Sequence, residues 1–219
     1  MGFHDRLVEE TKADQEALFG IPFIRQALSG NLTLEGYLAF LGQAYHHVRH
    51  TVPLLMATGA ALPERCRWLI DPIAEYIEEE MGHHEWILSD IDASGGDADA
   101  VRRSRPDAPC ELMVAYAYDV IHRHNPLGFF GMVHVLEGAS VRGASAAAER
   151  VVQRLGLPDG ATTYLSSHGT LDREHVGFFR DLMDRVDERD HEWILHTAHR
   201  FFQLYGDVFR GLPSPVPAA

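Results

Sequence analysis

His168-Gly-Thr-Leu-Asp172-Arg-Glu-His175 reads as one face of a helix carrying two imidazoles and a carboxylate. At about 100° per residue, offsets of four and seven residues fall within roughly 60° of arc, so His168, Asp172 and His175 can converge on one point. That is a metal-ligand geometry: imidazole and carboxylate suit a borderline first-row ion, and three protein ligands leave coordination positions open. The competing reading is a polar helix face with histidine caps and ion pairs. A buried metal in a helical protein gathers further donors from facing helices, which directs attention to the rest of the chain.

Outward from this stretch, apolar residues recur at three-and-four spacing, and alternating strand patterns between hairpin turns are absent. The pattern predicts an all-α chain. Helices are expected over about Phe3 to Phe19, Phe23 to Leu28, and Thr33 to Ala60, the last with a kink or break at Pro53. A long helix follows from Pro63 to Ile91, kinked early at Pro72 and closed by Ser94-Gly95-Gly96. Beyond a polar loop rich in Asp and Arg come helices over Pro109 to His124 and Asn125 to Leu155. After the turn at Pro158-Asp159-Gly160, the helix bearing the opening motif runs to about Val186, and the last covers Asp190 to Phe209. A chain of 219 residues supports one sizeable core, so residues 1–211 read as a single domain and 212–219 as a loose proline-rich tail.

The formal charge of −13 argues against nucleic acid and against an anionic membrane surface, both of which demand clustered Lys and Arg. Small molecules or a second copy of the chain are the expected partners. Cys66 and Cys110 are too far apart in the chain to form a zinc knuckle and too few for a disulfide framework, which fits a reducing cytoplasm. The start, Met-Gly-Phe-His-Asp-Arg, lacks the pattern of a signal peptide, and no apolar run approaches the roughly 18 residues of a membrane span.

Candidate donors stand on three other segments. In Tyr76-Ile-Glu78-Glu79-Glu80-Met-Gly-His83-His84-Glu85-Trp86, Glu80 shares a face with Ile73, Ile77 and Ile87, whereas Glu78 shares one with Asp71, Glu75 and Glu85. Glu80 is expected to point inward and Glu78 outward, with Glu79 between them. A solvated charged face accounts for Glu78 and Glu85 but not for a glutamate on an isoleucine stripe. Either His83 or His84 could complete a Glu/His pair. Glu137 sits in the apolar stretch Phe129-Phe-Gly-Met-Val-His-Val-Leu-Glu137-Gly-Ala-Ser-Val, where a lone carboxylate needs a cation, either a metal or an arginine such as Arg142. His134, one turn earlier, reads as a satisfied core histidine. His46, His47 and His50 have no carboxylate at ligand spacing and read as pocket-lining or hydrogen-bonded core residues; His191, His196 and His199 read as surface residues.

With these residues in hand, the chain resembles the haem-oxygenase-like di-iron oxidases and oxygenases, relatives of the TenA-type thiaminase II and pyrroloquinoline-quinone synthase proteins. The resemblance spans Tyr37 to about Phe179 and rests on Tyr45-His-His-Val-Arg-His, Glu79-Glu-Met-Gly-His83 with Trp86, Glu137-Gly138, and His168-x3-Asp172-x2-His175. Counting back from Gly95, the family histidine falls on His83 rather than His84. Some members space the first pair as Glu-x6-His, but position 76 here is Tyr, so the resemblance assigns Glu80 with Glu79 as the fallback.

The resemblance implies a single haem-oxygenase-like bundle of seven to eight helices around two non-haem iron ions, with manganese the other candidate metal. One iron would take Glu80, His83 and Glu137; the other would share Glu137 and take His168, Asp172 and His175. The implied activity is reduction of O2 coupled to oxidation of a small fatty-acid-like or amino-acid-like substrate, in a homodimer by analogy. The alternative is a non-catalytic or metal-free binding protein of the same fold. A thiaminase reading lacks a nucleophilic Cys near the site. A haem reading could offer His4 as the ligand, but Phe129 to Val141 lacks the glycine-rich distal pattern.

Overall fold

The computed structural model of the chain describes residues 2–213, apart from the side chains of residues 141, 142, 145, 159 and 168–176. The described residues form α-helices and no strand. In chain order the helices are α1 Phe3–Glu10, α2 Lys12–Phe19, α3 Pro22–Ser29, α4 Leu34–Val48, α5 Thr51–Ala61 and α6 Ile70–Glu80. They continue as α7 His83–Ala93, α8 Ala98–Arg103, α9 Ala108–Asp119, α10 Phe129–Leu155, α11 Thr163–Arg185 and α12 Glu188–Arg210. These exceed the seven or eight expected because three long predicted helices are interrupted and one short helix was not foreseen.

Each interruption has a local cause. Thr11 separates α1 from α2: its Oγ1 donates to the Leu7 carbonyl at 2.7 Å, a bond that bends a helix by competing with the backbone ladder. The break between α4 and α5 falls at Arg49 and His50, so Pro53 occupies the first turn of α5. There its missing N–H costs nothing, and its clash with the carbonyl four residues back coincides with the break. Pro72 likewise sits in the first turn of α6, behind a 3₁₀ segment at Glu64–Leu69. The third break, at Met81 and Gly82, turns on a glycine with φ of 93°, a conformation that costs other residues about 1–2 kcal/mol. The unforeseen α8 is started by Asp97, whose side chain accepts the Ala100 N–H at 2.7 Å.

The core is continuous through the bundle. The inward face of α12, with Ile194, Leu195, Ala198, Phe201 and Phe202, is buried along its length. α10 packs against both α11 and α12, and α11 also packs against α7 and α1. Gly131 permits the close approach of α10 to α12, since a Cβ there would lie 2.3 Å from Thr197 Oγ1 and 2.6 Å from the Ala198 nitrogen. Of the expected loose tail, Leu212 is buried, which extends the packed chain past residue 211; residues 214–219 lie outside the described residues. Among the described residues, no helix is long and apolar enough to cross a membrane.

Candidate metal centre

Glu80 closes α6 and His83 opens α7, so the pair straddles the break at Gly82 instead of lying on one continuous helix. Both are buried, and His83 Nδ1 lies 3.1 Å from Glu80 Oε2. Trp86, one turn on, packs its ring 4.2 Å from that of His83. Glu78 and Glu79 are exposed, and His84 is half-exposed beside Glu85. Of the three consecutive acids only Glu80 reaches the interior, and of the two histidines only His83 is fully enclosed.

Glu137 lies midway along α10, half-buried, with Oε2 closed off from solvent. It shares with Glu80 a cavity of about 160 Å³, whose walls include Tyr76, Phe23, Leu55 and Phe209. None of the described lining residues is an arginine or a lysine. His168, Asp172 and His175 all fall within α11, so the backbone keeps the helical offsets of four and seven; their side chains lie outside the described residues. Because α11 packs against both α10 and α7, the helix of the opening motif is flanked by the helices that carry Glu137 and His83.

Glu80, His83 and Glu137 are residue types that can ligate a first-row metal. A separation of 3.1 Å suits a hydrogen bond and also matches neighbouring ligand atoms on one ion, which lie roughly 3 Å apart when the bonds are about 2.1 Å. Glu137 adds a second carboxylate to the wall of the same cavity, with Oε2 closed off from solvent. Among the described residues, no group of three or more His, Cys, Asp or Glu is gathered closely enough to hold an ion.

The remaining histidines have other work. His134 is buried, its Nε2 2.9 Å from Thr11 Oγ1 and its ring stacked on Phe179, and burial pulls its pKa down to about 4. His46 Nε2 meets Ser104 Oγ at 2.9 Å, and His50 Nδ1 meets the Tyr118 hydroxyl at 3.3 Å; burial lowers the pKa of both. His47 lines the cavity, edge-on to Tyr205. His196 is exposed, but His191 and His199 are half-buried: His191 stacks on Phe3, and His199 pairs with Asp14 at 2.7 Å. His4 is buried beside Arg180 and Phe179 and does not line the cavity. Neither cysteine lines it, and burial pushes the Cys110 thiol up to about 12, far from a reactive thiolate.

Two residues that matter to this region were not singled out from the sequence. Asp90, fully buried on α7, accepts the backbone N–H groups of Thr163 and Tyr164 at 2.9 Å each. Tyr37, fully buried on α4, donates its hydroxyl to the Ala161 carbonyl at 2.7 Å. A signal for Asp90 was present: it sits between Ile87 and Ile91 and two turns from His83, an acid on an apolar face much like Glu80.

Comparisons with known proteins agree with this architecture. A domain of unknown function with a haem oxygenase-like fold from Shewanella denitrificans OS217 superposes with a TM-score of 0.83 at 19% identity, covering 94% of this chain and 90% of that one. A TenA homologue from Pseudomonas syringae pv. tomato DC3000 gives 0.78 at 8% identity, covering 95% and 91%. Haem oxygenase-1 of the cyanobacterium Synechocystis sp. PCC6803, solved with haem, gives 0.73 at 15% identity, covering 96% and 91%. These likenesses establish a haem-oxygenase-like fold. No curated protein matches the chain. Residues 38–206, a span running from α4 into α12 and including every candidate donor, match a family described as iron-containing redox enzymes, and the chain belongs to that family.

Proposed function

We propose that the chain holds two non-haem iron ions through Glu80, His83, Glu137, His168, Asp172 and His175, and uses O2 to oxidise a small organic substrate in the adjoining cavity. The observation that carries this reading is the buried Glu80–His83 pair, whose glutamate lines the same apolar cavity as the half-buried Glu137, in an iron-containing redox family. Bound ferrous iron supplies the electrons that reduce dioxygen, a task no side chain at the site performs alone. On loading, Glu80 would bind as the carboxylate and His83 through an unprotonated ring nitrogen. Glu137 offers two oxygens and can serve both ions. The largely apolar walls suit the apolar chain of a fatty-acid-like substrate better than the two charges of a small amino-acid-like one. A carboxylate-rich donor set also suits manganese.

A metal-free binding protein of the same fold is the second reading, favoured by the apolar cavity, which suits a small ligand with or without an ion beside it. One experiment separates the two. Protein purified without oxygen and given ferrous iron is expected to bind two ions per chain and to consume O2, with binding falling below one ion in Glu137→Ala and His168→Ala. Wild type that binds less than one ion per chain, or binding that neither substitution changes, would leave the metal-free reading standing.

A further inference from the structure

The N-terminus of α11 is held by side chains from two other helices. Asp90 on α7 spans the gap with both oxygens, Oδ1 to the Thr163 N–H and Oδ2 to the Tyr164 N–H, each at 2.9 Å. Tyr37 on α4 secures the preceding turn through the Ala161 carbonyl. Asp90 and Tyr37 have no exposure to solvent. An aspartate of the local chain commonly caps a helix; here the cap comes from a residue more than 70 positions earlier, so it fixes one helix against another. The positive end of the helix dipole and two charge-assisted bonds oppose any slide of α11 along α7. Asp90 stands two turns from His83 on the same face of α7, and Tyr164 stands one turn before position 168 on α11.

We infer that Asp90 is a positioning residue that sets the register of α11 against α7, and so the spacing between His83 and the His168-Asp172-His175 turn pair. The inference rests on the iron reading above. A metal centre whose donors stand on several helices needs their spacing held to a fraction of an ångström, and a bidentate side-chain-to-backbone clamp between α7 and α11 one turn from position 168 would serve that. Asp90 does not line the cavity, and each of its oxygens accepts a backbone N–H.

Equilibrium dialysis against ferrous iron under anaerobic conditions tests it, on full-length protein at a temperature where circular dichroism shows each variant folded. Asp90→Ala is expected to weaken iron binding roughly 10- to 100-fold. Asp90→Asn, which keeps one acceptor oxygen, should fall between Asp90→Ala and wild type, and it carries the test if Asp90→Ala does not fold. Asp190→Asn is the control: Asp190 is equally buried but pairs with Arg65 and Asn125, so its loss should lower the melting point and leave iron affinity unchanged. Folded Asp90 variants that bind iron as wild type does, or that lose no more affinity than Asp190→Asn, overturn the positioning role. Wild type that binds no iron overturns the metal reading itself, and the clamp's purpose with it.

Discussion

At the start of α7, Glu80 meets the His83 imidazole at 3.1 Å and opens onto a cavity; on the third turn of the same helix, Asp90 accepts two backbone N–H groups at 2.9 Å and opens onto nothing. Both carboxylates are buried, and a buried charge persists only where something compensates it. For Asp90 the compensation comes from backbone that cannot be exchanged. Glu80 is compensated in part by a titratable side chain, which can turn to a cation. One carboxylate is bound to backbone of another helix, and the other faces a side chain and a cavity.

The largest effect expected from this contrast is on stability at Asp90. Asp90→Ala strands two part-buried N–H groups and removes a cap, a loss of about 3 kcal/mol that lowers the melting temperature by about 6–12 °C. A calorimetric shift under about 2 °C would mean that water or neighbouring backbone replaces the clamp.

Histidines divide in the same way: His134 is committed to Thr11 in the core, whereas His83 faces Glu80. Burial pulls His134 down to about 4 from an ordinary 6.5, so the unfolded chain binds its proton first. Stability from this group is therefore complete above pH 6.5 and falls as the pH drops towards 4, by about 2–3 kcal/mol. Urea unfolding at pH 7 and pH 5 measures the fall, and His134→Asn should flatten it; an equally steep dependence in that variant would assign the effect elsewhere.

Gly82→Ala probes the break that separates Glu80 from His83. Open space surrounds the site, so only the positive φ resists a side chain, and the expected cost is about 1 kcal/mol of unfolding free energy, read from denaturant unfolding. A neutral substitution would show that the turn relaxes to another conformation. The smallest effect belongs to Glu80→Gln, which keeps the shape and an acceptor oxygen for His83 and should change metal-free stability by less than about 1 kcal/mol. Thermal melts of apoprotein check it: a loss as large as that of Asp90→Ala would place Glu80 with the fold.

Much of this was legible in the chain itself. Helical spacing gave the all-α class, and the ends of α3, α10 and α12 lie within a few residues of their predicted positions, because Gly30, Gly156 and the apolar stripes mark them locally. The breaks were harder to place. Pro53 and Pro72 signalled interruptions, but a proline disrupts the turn before it, so the helices restart ahead of both residues. Thr11 carries no such mark; its bond to Leu7 forms beside His134, a residue 123 positions away. In the candidate site, the isoleucine stripe distinguished Glu80 from Glu78, since one helix face is a local property.

By itself, then, the sequence determined the all-α class, the inward face on which Glu80 stands, and the four-and-seven spacing of His168, Asp172 and His175 along one helix. Only the tertiary structure decided that Glu80 and His83 meet across a break, that Glu80 and Glu137 share one apolar cavity, and that Asp90 binds α11 to α7. The physical reason is range. Periodicity reports a residue's environment within its own helix, whereas a carboxylate's partner is set by what packs against it, and that partner lies 73 residues away in the case of Asp90.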